Sequence, residues 1–417
     1  MERVAGWVSE VRRLGGIVFV EVISNLDLKP ITVVVKKSKS RELWDRARRL
    51  KLGAAVIVEG EVPEKVISRK GRELHATNIR VVSEPVELPP IDPTGKTKAL
   101  METVLNYRYF ALRLPEQRAI FRIRATAVDA AREFFKAHGF LEVHTPKICG
   151  AGAEGGATVF ELDYFGRRAF LSQSPQLYKQ MLMCGVPRVY EITPYFRAEK
   201  FNTPRHLNES WGIDAEMAFI EGPEDVMAVL ERLVRHILSR IAEECREELE
   251  VLGREVRVPE LPLKRLNYDE AIEILRNEGF NVRWGDDFGA DEERVLGRVM
   301  AEEGHYAFFL VEYPWQAKPF YIMREGDRSR SFDLDYGGLE LASGGQREHR
   351  YEVLRENMLL KGLNPEAFTF YLEAFKLGMP PHGGFGLGLD RLLMAALGFN
   401  NIREVVLFPR DRQRLIP

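Results

Sequence analysis

Glycine recurs at every second position in Gly384-Phe385-Gly386-Leu387-Gly388. Alternate residues of a strand share a face, so this run has one bare face and one face of Phe385, Leu387 and Leu389. A bare strand face suits a sheet floor that a flat ring approaches closely. A helix starting at Leu389 would carry Arg391 in its first turn, where phosphate groups are favoured. Dinucleotide-binding loops also use glycines, but at another spacing, with an acidic residue on a second strand about 20 positions on. The period of two and the lack of that second strand make this run part of a sheet.

The chain has 417 residues, enough for two or three domains. Its net charge is −2, so it is no simple polycation, and charge placement matters more than the sum. Cys149, Cys184 and Cys245 are far apart and form no CxxC pair, which points away from zinc and from a disulfide framework. That usage fits a reducing cytoplasm. No run of 18 apolar residues suggests a membrane span, and the first residues carry no signal-peptide pattern.

Residues 1–87 read as short strands at Val4–Val11, Ile17–Ile23, Ile31–Val35, Ala54–Val62 and Leu74–Val82, with a helix at Arg41–Arg49. Five strands and one helix predict a small OB-type barrel. The segment holds 17 Lys and Arg against 12 Asp and Glu, densest from Lys36 to Lys51. That density reads either as a solvated helix face or as a surface that tracks phosphates. A proline-rich hinge at 88–104 separates it from a catalytic domain at 105–417. There, a long amphipathic helix (116–138) leads to a strand, Phe140–His144. Strands are expected at 188–199, 209–220, 307–312, 319–324 and 331–342, and helices near 223–250 and 350–361. The charged stretch 251–305 reads as an insertion. Strands without regular β–α alternation predict an α+β domain, a mostly antiparallel sheet flanked by helices.

Three further patterns carry chemistry. Arg197 and Glu199, then Asp214 and Glu216 on a returning strand, put cations and acids on one face. Arg205 and His206 lie in the loop between them, as a triphosphate requires. A solvent-facing hairpin would show the same alternation. Asp333 and Glu340 flank the turn Tyr336-Gly337-Gly338 and could share one magnesium ion, or be plain surface acids. In Ser174-Pro175-Gln176-Leu177-Tyr178-Lys179, Ser174 caps a helix that puts Gln176 and Lys179 on one face.

In order along the chain, these segments resemble class II aminoacyl-tRNA synthetases, most closely the aspartyl enzymes of the archaeal and eukaryotic type. Gly139–Pro146 resembles the family's first motif, a dimer interface. Phe196–Glu216 resembles the second, and Gly384–Arg391 the third. The resemblance implies that ATP is held by Arg197, Ala198, Glu199, Arg205, His206, Leu207, Glu340, Gly388, Leu389, Asp390 and Arg391. Within that set, Arg197 bridges the α-phosphate and the attacking carboxylate. Glu199 takes the adenine amino group, and Arg391 the γ-phosphate. Asp333, Glu340 and Ser343 would hold Mg²⁺. Arg197 and Ser343 would also touch the amino acid. Lys179 and Arg347 would clamp the aspartate side chain, with Glu154, Gln176 and Asp214 around its ammonium. In asparaginyl enzymes an apolar residue usually stands at the position of Lys179. Gly150–Ala157 would form a lid. Catalysis would rest on Arg197, Glu199 and Arg391.

The resemblance also implies a homodimer and tRNA-Asp as partner, with anticodon contacts at Phe19 and Glu59. Pro30 stands where the family usually has a glutamine that reads a base. Ser9 and Arg69 align with positions that decide whether tRNA-Asn is charged as well. Alternatives are an enzyme that charges both tRNAs, a tRNA-independent asparagine synthetase, and a silent RNA-binding relative.

Overall fold

Alternating valines close the first part of the chain into a barrel. Strands β1 (Glu2–Leu14), β2 (Ile17–Ser24), β3 (Ile31–Lys36), β4 (Ala55–Glu61) and β5 (Glu73–Ser83) pair in the order β1-β2-β3-β5-β4, and β4 returns to β1. Val18, Val20, Val22, Val33, Val56 and Val58 fill the interior. Helix α1 (Arg41–Arg48) starts at Ser40, whose Oγ accepts from the Leu43 amide, and plugs the core with Leu43, Trp44 and Ala47. The expected OB-type barrel is present.

The computed structural model describes residues 1–24, 27–68, 71–150, 158–200 and 202–417. It divides into two units, 1–123 with 246–253 and 417, and 124–245 with 254–416. The sequence put a boundary in the 88–104 hinge. The units divide instead at Ile123, because the residues after the hinge bind the barrel. Arg113 donates to the Gly53 carbonyl and stacks over Trp7, while Arg118 donates to the carbonyls of Ser24 and Asp27. Helices α2 (Met101–Asn106), α3 (Arg108–Ala111) and the start of α4 (Pro115–Ala137) belong to this unit.

The second unit is built on a sheet. Its smaller strands are β6 (Leu141–Glu142), β7 (Ile148–Cys149), β8 (Glu161–Tyr164) and β9 (Arg167–Leu171). After α5 (Gln176–Leu182) come β10 (Arg188–Phe196) and β11 (Glu209–Ala218). Helix α6 (Pro223–Glu244) and then α7 (Arg246–Leu252), which belongs to the first unit, precede β12 (Lys264–Asn267), α8 (Tyr268–Asn277), α9 (Ala290–Glu302) and β13 (Ala307–Val311). The hairpin β14 (Arg324–Glu325) and β15 (Arg328–Ser329) leads to β16 (Ser331–Tyr336) and β17 (Glu340–Gln346). Helices α10 (Tyr351–Leu360) and α11 (Thr369–Phe375), strand β18 (His382–Gly388) and helix α12 (Leu389–Ala396) follow.

Eight strands pair in the order β12-β13-β16-β17-β18-β11-β10-β6, antiparallel except for the two outermost pairs. Three expectations change in detail. The run 331–342 is a hairpin whose turn uses Gly337 and Gly338 at positive φ. The run 319–324 is not a strand, since Pro319 follows a short helical turn and lacks a donor. Within 251–305, β12 joins the sheet edge, and α8 and α9 pack Ile272, Leu275, Leu296 and Met300 into a core with Phe308 and Leu310.

Register decides what the floor carries. Asp333 pairs with Ser343, Ser343 with Gly386, and Gly386 with Asp214. Paired residues share a face, so these four form one row across four strands. Two positions along, Gly345, Gly384 and Glu216 form the next row. A methyl at Gly384 would lie 2.1 Å from Glu216 Oε2 and 2.1 Å from the Ala215 carbonyl oxygen. This glycine makes room for a carboxylate. Gly384→Ala is expected to overpack the floor by about 1–3 kcal/mol and lower the thermal midpoint by at least roughly 2 °C. Differential scanning calorimetry reads the shift.

Candidate active site

The sheet face opens into a cavity of about 270 Å³, lined by residues of both returning strands, the loop between them and the floor strands. Gln176, Arg197, Glu199, Arg205, His206, Leu207, Asp214, Glu340, Ser343, Arg347, Gly388, Asp390 and Arg391 all reach it. Arg197 and Glu199 lie just past the end of β10, where the Arg197 amide still donates to the Asn208 carbonyl at 2.9 Å. Ala198 and Leu389 do not line the cavity, and Leu389, the first residue of α12, is buried. Glu154 and the lid residues 151–157 lie outside the described residues.

At one end of the cavity is a closed charge cluster. Lys179 Nζ donates to Asp214 Oδ1 at 2.8 Å and to the Phe385 carbonyl at 2.9 Å. It also lies 3.5 Å from Glu216 Oε2. Arg347 Nε donates to Glu216 Oε1 at 2.9 Å. All four side chains are at most 3 % exposed. Burial pushes the Glu216 carboxyl up, but Arg347 and Lys179 outweigh it and hold the group below the ordinary range. Burial likewise opposes the Arg347 charge, and Glu216 more than restores it. Lys179 itself does not line the cavity but sits behind Asp214. Glu216, placed on the right face by the sequence, was given no role. Its spacing of two from Asp214 was the available signal.

At the other end, cations gather. Arg391 Nη1 donates to the Glu340 carbonyl at 3.0 Å, and Arg205 Nη1 lies 2.8 Å from Glu293 Oε2. Burial and then Arg391, Arg205 and Arg197 push the His206 imidazole down to about 4, so it is neutral at pH 7. Asp390 anchors this end. Its carboxylate accepts from the Trp211 amide at 2.7 Å and from Arg124 at 2.5 Å, which fixes the start of α12. Ser210 and Trp211 both line the cavity, although neighbours in a regular strand alternate. Tyr195, Lys318 and Glu293 were missed. Glu293 lies in the segment read as an insertion, and no periodicity marks Lys318.

Asp333 and Glu340 flank the expected turn, with Ser343 paired to Asp333. Among the described residues no three His, Cys, Asp or Glu side chains are arranged to hold a metal alone. The donor set still fits a divalent cation that brings phosphate oxygens with it. Asp333 Oδ1 is buried with no hydrogen-bond partner among the described residues, an acceptor left for a ligand.

The barrel places its candidates differently. Phe19 faces outward under the Arg12 guanidinium, and Glu59 accepts from Asn78 at 3.3 Å. Ser9 is buried, its hydroxyl donating to the Glu21 carbonyl. Arg69 lies outside the described residues. Pro30 precedes β3, so the polar residue on that outward face is Thr32, whose hydroxyl meets both Glu21 carboxylate oxygens. Around α1, Arg41 and Arg48 pair with Asp45, Arg46 with Glu42 and Lys51 with Glu84, while Lys36, Lys37, Lys39 and Arg49 have no ion pair among the described residues.

The fold and this site together define a class II aminoacyl-tRNA synthetase. The chain belongs to the family of tRNA synthetases class II (D, K and N), which it matches over residues 100–412. It is 49% identical over 420 residues to an aspartate–tRNA(Asp) ligase of Pyrococcus horikoshii, covering 100% of this chain and 96% of that one. It is also 49% identical over 417 residues to an aspartate–tRNA(Asp/Asn) ligase of Methanopyrus kandleri, with coverage of 100% and 96%. Among solved structures it resembles the asparaginyl-tRNA synthetase of Pyrococcus horikoshii complexed with asparaginyl-adenylate. That match has TM-score 0.91 and 36% identity, and covers 100% of this chain and 96% of that one.

The His206 environment gives a direct titration. Its depressed value means that stability from the neutral ring is present above pH 6.5 and is lost as pH falls toward 4. In the nucleotide-free protein, the His206 ring should titrate near pH 4 by NMR. Pyrophosphate should neutralise the surrounding arginines and raise that midpoint by about one unit or more.

Proposed function

We propose that the chain activates L-aspartate with ATP and attaches it to tRNA-Asp through an aspartyl-adenylate. The observation that carries this reading is the buried pair Lys179 and Arg347, bridged by Glu216 beside Asp214. Those four charges sum to zero. An entering aspartate offers its ammonium to Asp214, with Gln176 nearby, and its α-carboxylate to Arg197. Lys179, Arg347 and Glu216 then hold one net positive charge, which the side-chain carboxylate neutralises. A neutral asparagine amide leaves that charge unmatched in a dry site, a penalty of roughly several kcal/mol.

The reaction is an in-line displacement at the α-phosphorus. The aspartate carboxylate oxygen attacks, and the bond to pyrophosphate breaks. Arg197 steadies the charge at the α-phosphate, while Arg205, His206 and Arg391 hold the tail. Glu199 takes the adenine amino group on the bare floor at Gly386 and Gly388. Asp333, Glu340 and Ser343 would hold Mg²⁺, whose charge would offset that of the phosphates. The 3′-hydroxyl of the terminal adenosine of tRNA then attacks the adenylate carbonyl, and AMP leaves. No covalent bond to the enzyme is required, so positioning and electrostatics supply the rate.

Phe19 and Glu59 on the barrel are read as anticodon contacts. The working unit is read as a cytoplasmic homodimer built on residues 139–146, where Leu141 is exposed. A second reading, in which tRNA-Asn is charged too, draws support from the relative named for both tRNAs. Purified tRNA-Asn transcript separates the two, since aspartylated product appears only under the second.

ATP–pyrophosphate exchange across all amino acids tests the main reading. Exchange should depend on aspartate, and exchange with asparagine alone overturns it. Lys179→Met and Arg347→Met should each lower kcat/KM for aspartate by roughly 10²–10³-fold, because each leaves Glu216 buried with one partner fewer.

A further inference from the structure

The triphosphate end of the cavity contains more cations than nucleotide binding has used. Lys318 lies directly after the turn Trp315–Ala317 and directly before Pro319. Its amide donates to the Trp315 carbonyl at 3.0 Å, so its backbone is fixed. Its side chain is 9 % exposed, and its ammonium is 3.5 Å from the centre of the Tyr313 ring. Nζ reaches Asp333 Oδ2 at 2.7 Å. The other Asp333 oxygen is the buried acceptor without a partner. Lys318 also stands on the border between the active cavity and an adjoining one of about 240 Å³ that Asp287, Glu293, Asp335 and Glu340 line. Burial pushes Asp335 up to about 8, so it is mostly neutral at pH 7, and the Lys318 ammonium is a counter-charge among the remaining acids Asp287, Glu293, Asp333 and Glu340.

The neighbouring ion pairs follow the same pattern. Arg391 Nη1 lies 3.8 Å from Glu340 Oε2, and Arg205 lies on Glu293. The two arginines assigned to phosphate are thus held by carboxylates, of which Glu340 is also assigned to the metal, as is Asp333, the partner of Lys318. We propose that Lys318 is an internal cation that occupies the Asp333 carboxylate until a metal-bound triphosphate arrives, and then transfers to the phosphates. The inference rests on the assignment of Asp333 and Glu340 to the metal.

The physical consequence is coupling. Metal alone must approach a carboxylate already neutralised by Lys318, and like charges side by side are costly. Triphosphate alone must detach cations from their acids. Arriving together, metal and triphosphate exchange partners with the protein, and every charge is matched again. Each therefore binds more tightly in the presence of the other, by linkage.

The test measures binding without turnover. Mn²⁺ alone is titrated onto the protein and followed by the EPR signal of the free ion. Lys318→Met removes the competing charge and should tighten nucleotide-free Mn²⁺ binding by at least roughly tenfold. The same change should weaken binding of the Mn²⁺–ATP complex, because the phosphates lose a cation. Lys318→Arg keeps the charge and should leave the Mn²⁺ titration as in the unaltered protein. If Lys318→Met does not fold, as judged by its circular dichroism melt, Lys318→Gln takes its place with the same expected outcome. Unchanged or weaker Mn²⁺ binding in the neutral variant overturns the proposal. Failure of the aspartate reading would show instead in the amino-acid dependence of pyrophosphate exchange, which this titration does not involve.

Discussion

Glu216 lies between two buried cations, and the site is organised around it. Removing a carboxylate from water costs several kcal/mol even after relaxation. Here Lys179 and Arg347 offset that cost from opposite sides, so the acid stays ionised although no solvent reaches it. The converse holds as well. Without Glu216 and Asp214, two cations this deep would lack their counter-charges. The cluster is a stored arrangement of charge, neutral when empty and short of one negative charge once Asp214 turns to an ammonium. In the proposed reading, the side-chain carboxylate of a short dicarboxylic amino acid supplies it.

The sheet is the device that places these charges. Cross-strand pairing aligns Asp333, Ser343, Gly386 and Asp214 in one row and Gly345, Gly384 and Glu216 in the next. The residues proposed to bind metal, adenine and ammonium thus lie on neighbouring strands of one face. The glycines there differ. At Gly386 and Gly388 a methyl would come into ordinary contact with Asp214, Tyr195 and Arg391, while at Gly384 the glycine leaves space that Glu216 fills. The other face carries Phe385 and Leu387 into the core, which keeps the floor rigid.

Much of this was legible in the sequence, where local pattern and tertiary position agree. The barrel strands, the glycine strand, the two returning strands and the first-turn position of Arg391 follow from period two and from turn chemistry. Cavity positions of Arg197, Glu199, Arg205 and His206 followed from the resemblance to a known family. What the sequence hid depends on contacts far apart in the chain. Glu216 gains its role from Lys179 and Arg347, at distances of 37 and 131 positions. Lys318 and Glu293 acquire theirs from Asp333 and Arg205; Lys318 lies in no periodic segment, and the apolar periodicity of α9 marks its core face rather than Glu293. The hinge was legible as composition, but Arg113 and Arg118 tie the residues beyond it to the barrel. Fold similarity does not choose the amino acid either, since a solved asparaginyl enzyme shares this architecture at TM-score 0.91. In the proposed reading, the choice rests on the charge at Lys179.

The most direct measurement is a crystal structure with L-aspartate and a non-hydrolysable ATP analogue bound. The account predicts the ligand's side-chain carboxylate within about 3 Å of both Lys179 Nζ and the Arg347 guanidinium. Glu216 should remain between them, and Asp214 should have turned to the ligand's ammonium. A ligand whose side-chain carboxylate lies elsewhere, with both cations still engaged only by Asp214 and Glu216, would contradict it.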